Sequence, residues 1–391
     1  MNEKYDSIRP YNDAETIQAI SRIIKAPELD SISDFLYGPG QAERLRKALA
    51  GISNVHQFQA SVMAGAIKTI LGKTSSGLSI EGVDALRDGR KHVFLSNHRD
   101  IILDPAIIQL VLFDSDMPTT EIAVGDNLIS NSFIEDIFRS NRMIKVARGG
   151  TPRQRYMSSA LLSSYMRECI TTGRCSVWIA QRNGRSKDGH DHTEQGLMKM
   201  FEMSGNGDFI KDFGDLSILP TAVSYQYEPC DFLKAREVYI SRREHYVKKP
   251  GEDTMSILTG VTQFKGHIAL HFCEPVTDKE LERCAMYEKN ERFTALTEVI
   301  DSKIYANYRL WDTNYIAYDI QNGNESSSAN YTPQARAEFL ERMKEGLSAI
   351  VEKDPDIDMD ELSEIFLSIY ANPVHSAHAH QAGDTGRSCP A

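Results

Sequence analysis

Between residues 92 and 272, short apolar runs of strand character alternate with longer stretches of helical periodicity. No other feature limits the fold of this chain as much. The runs are 92–95 (HVFL), 121–124, 143–146, 176–180 (SVWIA), 218–223 and 267–272, and helical patterns separate them, most clearly over 156–172 and 193–204. This repetition predicts an α/β fold in which a mainly parallel sheet is flanked by helices. Such sheets collect ligands beyond the carboxyl ends of their strands, so the residues that follow each run carry the most information.

Both ends of the chain read differently. Ile17, Ile20, Ile23 and Ile24, and later Phe58, Val62, Ala66 and Ile70, recur at helical spacing and predict an N-terminal helical bundle over residues 1–75. Pro27 and the turn Tyr37-Gly38-Pro39-Gly40 interrupt it, and 73–77 (KTSSG) reads as a linker. The plain reading of this bundle is a packing appendage without chemistry. Residues 76–325 form the expected α/β unit, which ends in a helical pattern over 278–308. C-terminal helices follow within 326–371, one opened by Thr332-Pro333 over 333–353 and one over 359–370. Residues 372–391 are small and polar and predict a disordered tail. His375, His378 and His380 in that tail suit adventitious metal contact rather than a built site, and no metal is expected.

Charge and cysteine usage exclude several classes. A formal charge of −11 over 391 residues argues against general nucleic-acid binding, which needs a basic footprint. The six cysteines form no CxxC pair, and the opening residues MNEKYDSIRPYNDAE hold no secretory apolar segment. Together these predict a reducing cytosol, with neither a disulfide framework nor a zinc cluster. No apolar run has the length of a membrane span, so the protein is expected to be cytoplasmic, or peripheral at the inner face of the cytoplasmic membrane. Contact with lipid would then fall to an amphipathic surface such as the N-terminal helices.

The first run leads into Ser96-Asn97-His98-Arg99-Asp100-Ile101-Ile102-Leu103-Asp104-Pro105-Ala106. Pro105 suits the first position of a helix, so Asp104 reads as the N-cap of a helix over 105–113, with His98 on the preceding loop. A carboxylate beside an imidazole fixes its tautomer and stabilises the imidazolium formed when it takes a proton. Asp100 and Asp104 both compete for that place. Two basic groups follow later runs. Arg139, Arg142, Lys145, Arg148, Arg153 and Arg155 fall within seventeen residues, and Arg182, Arg185 and Lys187 follow the fourth run. Arginine forks suit phosphate because they donate paired, charge-assisted hydrogen bonds. Arg148 and Arg185 lead the candidates, followed by Lys145 and Arg182.

His98-Arg99-Asp100 and Asp212-Phe213-Gly214 also spell two protein-kinase triplets. A kinase needs Asn five positions after the first aspartate, where Pro105 stands, and it needs a Gly-rich loop that is missing. The second triplet reads as a surface turn.

The string SNHRDIILDPAIIQLVL resembles the hallmark block of the glycerol-phosphate acyltransferase superfamily. The chain is similar to the soluble plastid-type glycerol-3-phosphate acyltransferases and to bacterial lysophosphatidate acyltransferases. Five residues separate His98 from Asp104 here, where the hallmark has four. Gly125-Asp126 and Met143-Ile144-Lys145-Val146-Ala147-Arg148 resemble the second block. Ile179-Ala180-Gln181-Arg182-Asn183-Gly184-Arg185-Ser186 resembles the third, with Asn183 where the family carries Glu. Ile218-Leu219-Pro220-Thr221-Ala222-Val223 resembles the fourth. The likeness spans roughly residues 80 to 275.

The resemblance implies a glycerolphosphate acyltransferase-like fold and transfer of a fatty acyl group to a hydroxyl of glycerol 3-phosphate or lysophosphatidate in phospholipid synthesis. It makes His98 the general base and Asp104 its partner, with Asp100 in reserve. Arg148, Arg185, Lys145 and Arg182 become the phosphate ligands, and Gly184 and Pro220 structural positions of the acyl site. The donor would be acyl carrier protein or a coenzyme A thioester, acting as co-substrate with no further cofactor. Asn183 also leaves room for another acceptor, such as an amino-acid lipid. The longer His98–Asp104 spacing leaves room for a non-catalytic lipid- or carrier-binding homologue.

Overall fold

A computed structural model describes the backbone of residues 3–386 and the side chains of residues 3–380. All six expected strands are present, and a seventh joins them. They are β1 Gly77–Glu81, β2 Val93–Ser96, β3 Glu121–Gly125, β4 Met143–Val146, β5 Val177–Ala180, β6 Ile218–Tyr225 and β7 His267–Phe272. The sheet order is β1-β7-β6-β2-β5-β3-β4. Strands β6, β2, β5, β3 and β4 run parallel, β7 lies antiparallel to β6, and β1 is parallel to β7. The fold is α/β with a mainly parallel sheet, and helices stand at both ends of the chain.

Burial explains why these runs become strands. All four residues of β2 and all eight of β6 are buried, as expected for parallel strands covered on both faces. Alternate residues serve opposite cores. Val93 and Leu95 join Tyr165, Met166, Phe201, Leu296 and Ile300 on one side. Phe94 joins Ile107, Ile108, Trp178, Leu219 and Phe272 on the other. The strand β1 begins at Gly77, the last residue of the expected linker, while Lys73 and Thr74 belong to the preceding helix. Its sequence GLSIE is short and only half-buried or exposed at the sheet edge, so no apolar run marks it.

The N-terminal helices pack into the α/β unit. Ile20, Ile23, Leu45, Leu49 and Phe58 close a small core with Phe133, which belongs to the α/β unit. The helix Ala64–Thr74 packs Ile67 and Ile70 against Ile107 and Ile108. A π-helical turn, Gln59–Met63, precedes it, and such turns recur beside functional sites.

At the other end, the helix Pro333–Lys353 matches the sequence reading, but the last helix is longer than expected and runs Met359–Gly386 through Pro373. Residues 372–386 are therefore helical rather than disordered, and 387–391 lie outside the described residues. Tertiary packing overrides the local signal. Val374 is fully buried, and the rings of His375 and His378 pack against Tyr318. Asp212-Phe213-Gly214 is likewise no surface turn. It ends the helix Phe209–Gly214 with Phe213 buried, while Asp212 accepts the amides of Asn206 and Gly207.

Candidate active site

The carboxyl ends of the five parallel strands share one edge of the sheet, and the loops that follow them build a cleft. His98 after β2, Arg148 after β4, and Asn183 and Arg185 after β5 line it, together with Gly125 at the end of β3. The cleft holds about 890 Å³ and opens to solvent.

Asp104, not Asp100, is the partner of His98. Its Oδ2 lies 2.9 Å from His98 Nδ1 and accepts the amides of Arg99 at 2.6 Å and Asp100 at 2.9 Å. Its Oδ1 accepts the Tyr225 hydroxyl at 2.7 Å. Burial beside Asp104 pushes the Tyr225 phenol well above its ordinary range, so it remains a donor. A carboxylate only accepts, so the imidazole carries its proton on Nδ1 and presents a bare Nε2 to the cleft. The Trp178 ring stands edge-on to the imidazole at 5.9 Å and limits its tilt.

The extra residue between His98 and Asp104 is absorbed by the loop, which wraps its own amides around Asp104. The helix starts at Leu103, one turn position before Asp104, so Asp104 is not the cap expected from sequence. Asp100 does that work, its Oδ1 accepting the amides of Ile102 at 2.8 Å and Leu103 at 2.7 Å. The two aspartates thus divide the roles that the sequence left open.

Burial, reinforced by the charge of Asp104, raises the Asp100 carboxyl above the ordinary aspartate range. In the window between the unfolded pKa of about 4 and the raised folded value, the folded state holds a proton that the unfolded state has lost. Stability from this group is therefore greatest at low pH and falls as pH rises through that window. Asp100→Asn keeps an acceptor for both amides and removes the titration. Thermal melts of wild type and variant should diverge in the variant's favour as pH rises from 4 to 8. Parallel melting curves would contradict the assignment.

Arg185 is 8 % exposed, and its Nη1 is buried without a hydrogen-bond partner among the described residues. A desolvated cationic donor without an acceptor is costly in a finished structure, and a ligand would relieve that cost. Arg148 donates to the side-chain oxygen of Asn183. Asn183 is neutral where the resembled block has Glu, so this contact adds no counter-charge to the Arg148 guanidinium, which feels the carboxylates of Asp126 and Glu194 instead. Gly125 makes room for this arginine, since a β-carbon there would come within 2.7 Å of its Nε. Gly184 turns the loop at φ +83°, a conformation that favours glycine.

The other two basic candidates are not brought into the cleft. The Lys145 ammonium pairs with Glu135 at 3.5 Å, and Arg182 Nη1 donates to the His190 carbonyl at 3.3 Å. The turn at Gly184 sends Arg185 inward and leaves Arg182 outside. Pro220 is buried within β6 and lines neither cavity, so its part is structural. Sequence reasoning missed Lys248 and Asp253, which also line the cleft and pair at 2.5 Å, while Asn127 donates to Asp253 at 3.1 Å. The basic stretch SRREHYVKKPG after β6 was the available signal.

A second, apolar cavity of about 810 Å³ adjoins the cleft, and Ile101, Val124 and Leu128 line both. Met63, Ile67, Ala106, Leu110, Phe138 and Met143 form much of its wall. Gln59, Thr119 and Asn141 also line it and bond to one another, Thr119 Oγ1 donating to Gln59 and Gln59 Nε2 to Asn141 at 3.4 Å. They sit beside the amino ends of β3 and β4, whereas Val124 lies near the carboxyl end. The cavity therefore runs along these strands for roughly 16 Å, at about 3.3 Å per residue.

Elsewhere, Glu121, Cys169 and Cys175 bring three buried ligand-type atoms within 4.8 Å of one another. The Arg174 guanidinium already bonds Cys169 Sγ and lies 4.0 Å from Glu121, so a cation stands where a metal would. No helix among the described residues is long and apolar enough to cross a membrane.

Residues 77–224, from β1 almost to the end of β6, match the model of the family described as Acyltransferase. A solved 1-acyl-sn-glycerophosphate acyltransferase, PlsC from Thermotoga maritima, is similar at 12 % identity and a TM-score of 0.38, covering 74 % of this chain and 92 % of that one. No curated protein matches the chain.

Proposed function

We propose that this acyltransferase moves a fatty acyl group from a coenzyme A or acyl carrier protein thioester to a hydroxyl of glycerol 3-phosphate or lysophosphatidate. The observation that carries the reading is one arrangement. His98 Nε2 opens on a cleft flanked by two arginines, and that cleft meets a long apolar cavity. His98 takes the hydroxyl proton as the oxygen attacks the thioester carbonyl. Asp104 holds the imidazole and stabilises its charged form. Arg148 and Arg185 bind the acceptor phosphate and bring its hydroxyl to Nε2, and the apolar cavity takes the acyl chain. The carbon–sulfur bond of the thioester breaks, the thiol leaves with a proton, and an ester is formed. No covalent enzyme intermediate is required.

The test is to incubate the protein with an acyl thioester and either acceptor and to look for the acylated product by mass spectrometry. Product with one or both supports the reading, and none with either refutes it.

The cavity makes its own prediction. Ala106 lies in its wall on the first turns of the helix Leu103–Asp114, near the junction with the cleft. Ala106→Phe should remove room for about three methylenes. At about 0.8 kcal/mol each this costs long-chain donors roughly 2.4 kcal/mol, or about 50-fold in kcat/KM. Short-chain donors should be nearly unaffected. An equal loss for all chain lengths would place the acyl chain elsewhere.

A further inference from the structure

The loop that carries His98 is held from behind by a buried group of charges that the reaction itself does not use. Arg99, 1 % exposed, directs Nε and Nη2 to Asp191 Oδ2 at 3.1 and 2.7 Å, and Nη1 to Glu228 at 3.3 Å. Asn97, on the other side of His98, donates its Nδ2 to the same Asp191 oxygen at 3.0 Å. Both sequence neighbours of His98 are thus tied to one atom. Lys234 Nζ bonds the Arg99 carbonyl at 2.7 Å and Glu228 at 2.5 Å. The Arg99 amide in turn is one of the donors on Asp104. Two cations and two anions balance within the group, which limits the cost of burying them.

We propose that Asp191, with Arg99, Glu228 and Lys234, is the positioning device that fixes His98 and Asp104 against each other. Part of it lies beyond the family-matched residues. Glu228 and Lys234 follow β6, and the Glu228 amide is bonded by Tyr370 from the last helix. That tyrosine also donates to Asp231, which Arg342 pairs at 2.6 Å. The C-terminal helices thereby hold the base in place although they are remote from the cleft. The device suits the longer His98–Asp104 loop, whose extra residue would otherwise give the imidazole more freedom. Asp191 spends its bonds on Oδ2, and its Oδ1 is buried without a partner among the described residues. Asparagine can therefore keep the staple.

This inference rests on His98 being the base, and the experiment separates the two claims. Wild type, His98→Ala, Asp191→Ala, Asp191→Asn and Lys234→Met are compared in the acyl-transfer assay, in thermal melts and by NMR of the imidazole Nδ1 proton. Asp191→Ala should lower kcat by roughly 30-fold with both KM values little changed, on the scale expected for a misplaced catalytic group. Asp191→Asn should recover most of that loss. The Nδ1 proton signal should broaden or shift in Asp191→Ala, a change that needs no turnover to detect. Folded Asp191→Ala with wild-type kcat and an unchanged Nδ1 signal would overturn the proposal. If Asp191→Ala does not fold, Lys234→Met decides in the same terms. Wild type without any transfer would refute the base reading, while the Nδ1 signal still reports on positioning.

Discussion

His98→Ala should lower kcat by about a thousandfold, roughly 4 kcal/mol of transition-state stabilisation, with little change in the thermal melt. The imidazole lines the cleft with its Nδ1 held by the buried Asp104 carboxylate, which leaves Nε2 to act as the base. Asp104→Asn should fall nearly as far. An asparagine amide there would put a donor as well as an acceptor in the place of a carboxylate that already accepts the amides of Arg99 and Asp100. It would favour the wrong imidazole tautomer and lose the charge that supports the imidazolium. Asp100→Asn should leave kcat close to wild type, because Asp100 caps the helix and does not touch the ring. Steady-state kinetics of the three variants decide the matter. A larger loss at Asp100 than at Asp104 would reverse the assignment.

The second large effect is expected at the arginines. Arg185→Ala should raise KM for a phosphorylated acceptor about 30-fold, from loss of roughly 2 kcal/mol of charge-assisted hydrogen bonding. Arg148 is exposed and its partner Asn183 is neutral, so Arg148→Ala should raise it by less, about fivefold. Arg185→Lys should restore only part of the loss, because an ammonium cannot reproduce the fork. Neither change should alter kcat at saturation as much as His98→Ala does. Unchanged KM in both variants would show that no phosphate sits between these residues.

Much of this was legible in the chain because the signals were local. Six strands, two of them wholly buried, announced themselves as apolar runs, and His98, Asp104, Arg148 and Arg185 all follow strands whose ends share one edge. What stayed hidden depends on contacts distant in sequence. β1 is an edge strand with no apolar run, and its pairing with β7 joins residues about 190 apart. The division of labour between Asp100 and Asp104 depends on the path of a seven-residue loop, which spacing alone could not resolve. Lys145 and Arg182 ranked behind Arg148 and Arg185 in the sequence, but that they stay out of the cleft depends on the turn at Gly184 and the ion pair with Glu135. Asp191, Glu228 and Lys234 carry no motif, since their meaning lies in convergence on Arg99 from 92 to 135 residues away. The final helix passes through Pro373 because buried Val374 and the Tyr318 contacts outweigh a local breaker.

The central claim is that a base, an anion site and an acyl cavity meet at one cleft. Its most direct test is the initial rate of acyl transfer from one thioester to matched acceptors with and without phosphate, glycerol 3-phosphate against glycerol and lysophosphatidate against monoacylglycerol. Transfer to a phosphorylated acceptor is expected, abolished in His98→Ala, with little or none to its phosphate-free counterpart. Equal rates with and without phosphate, or full activity in His98→Ala, would contradict it.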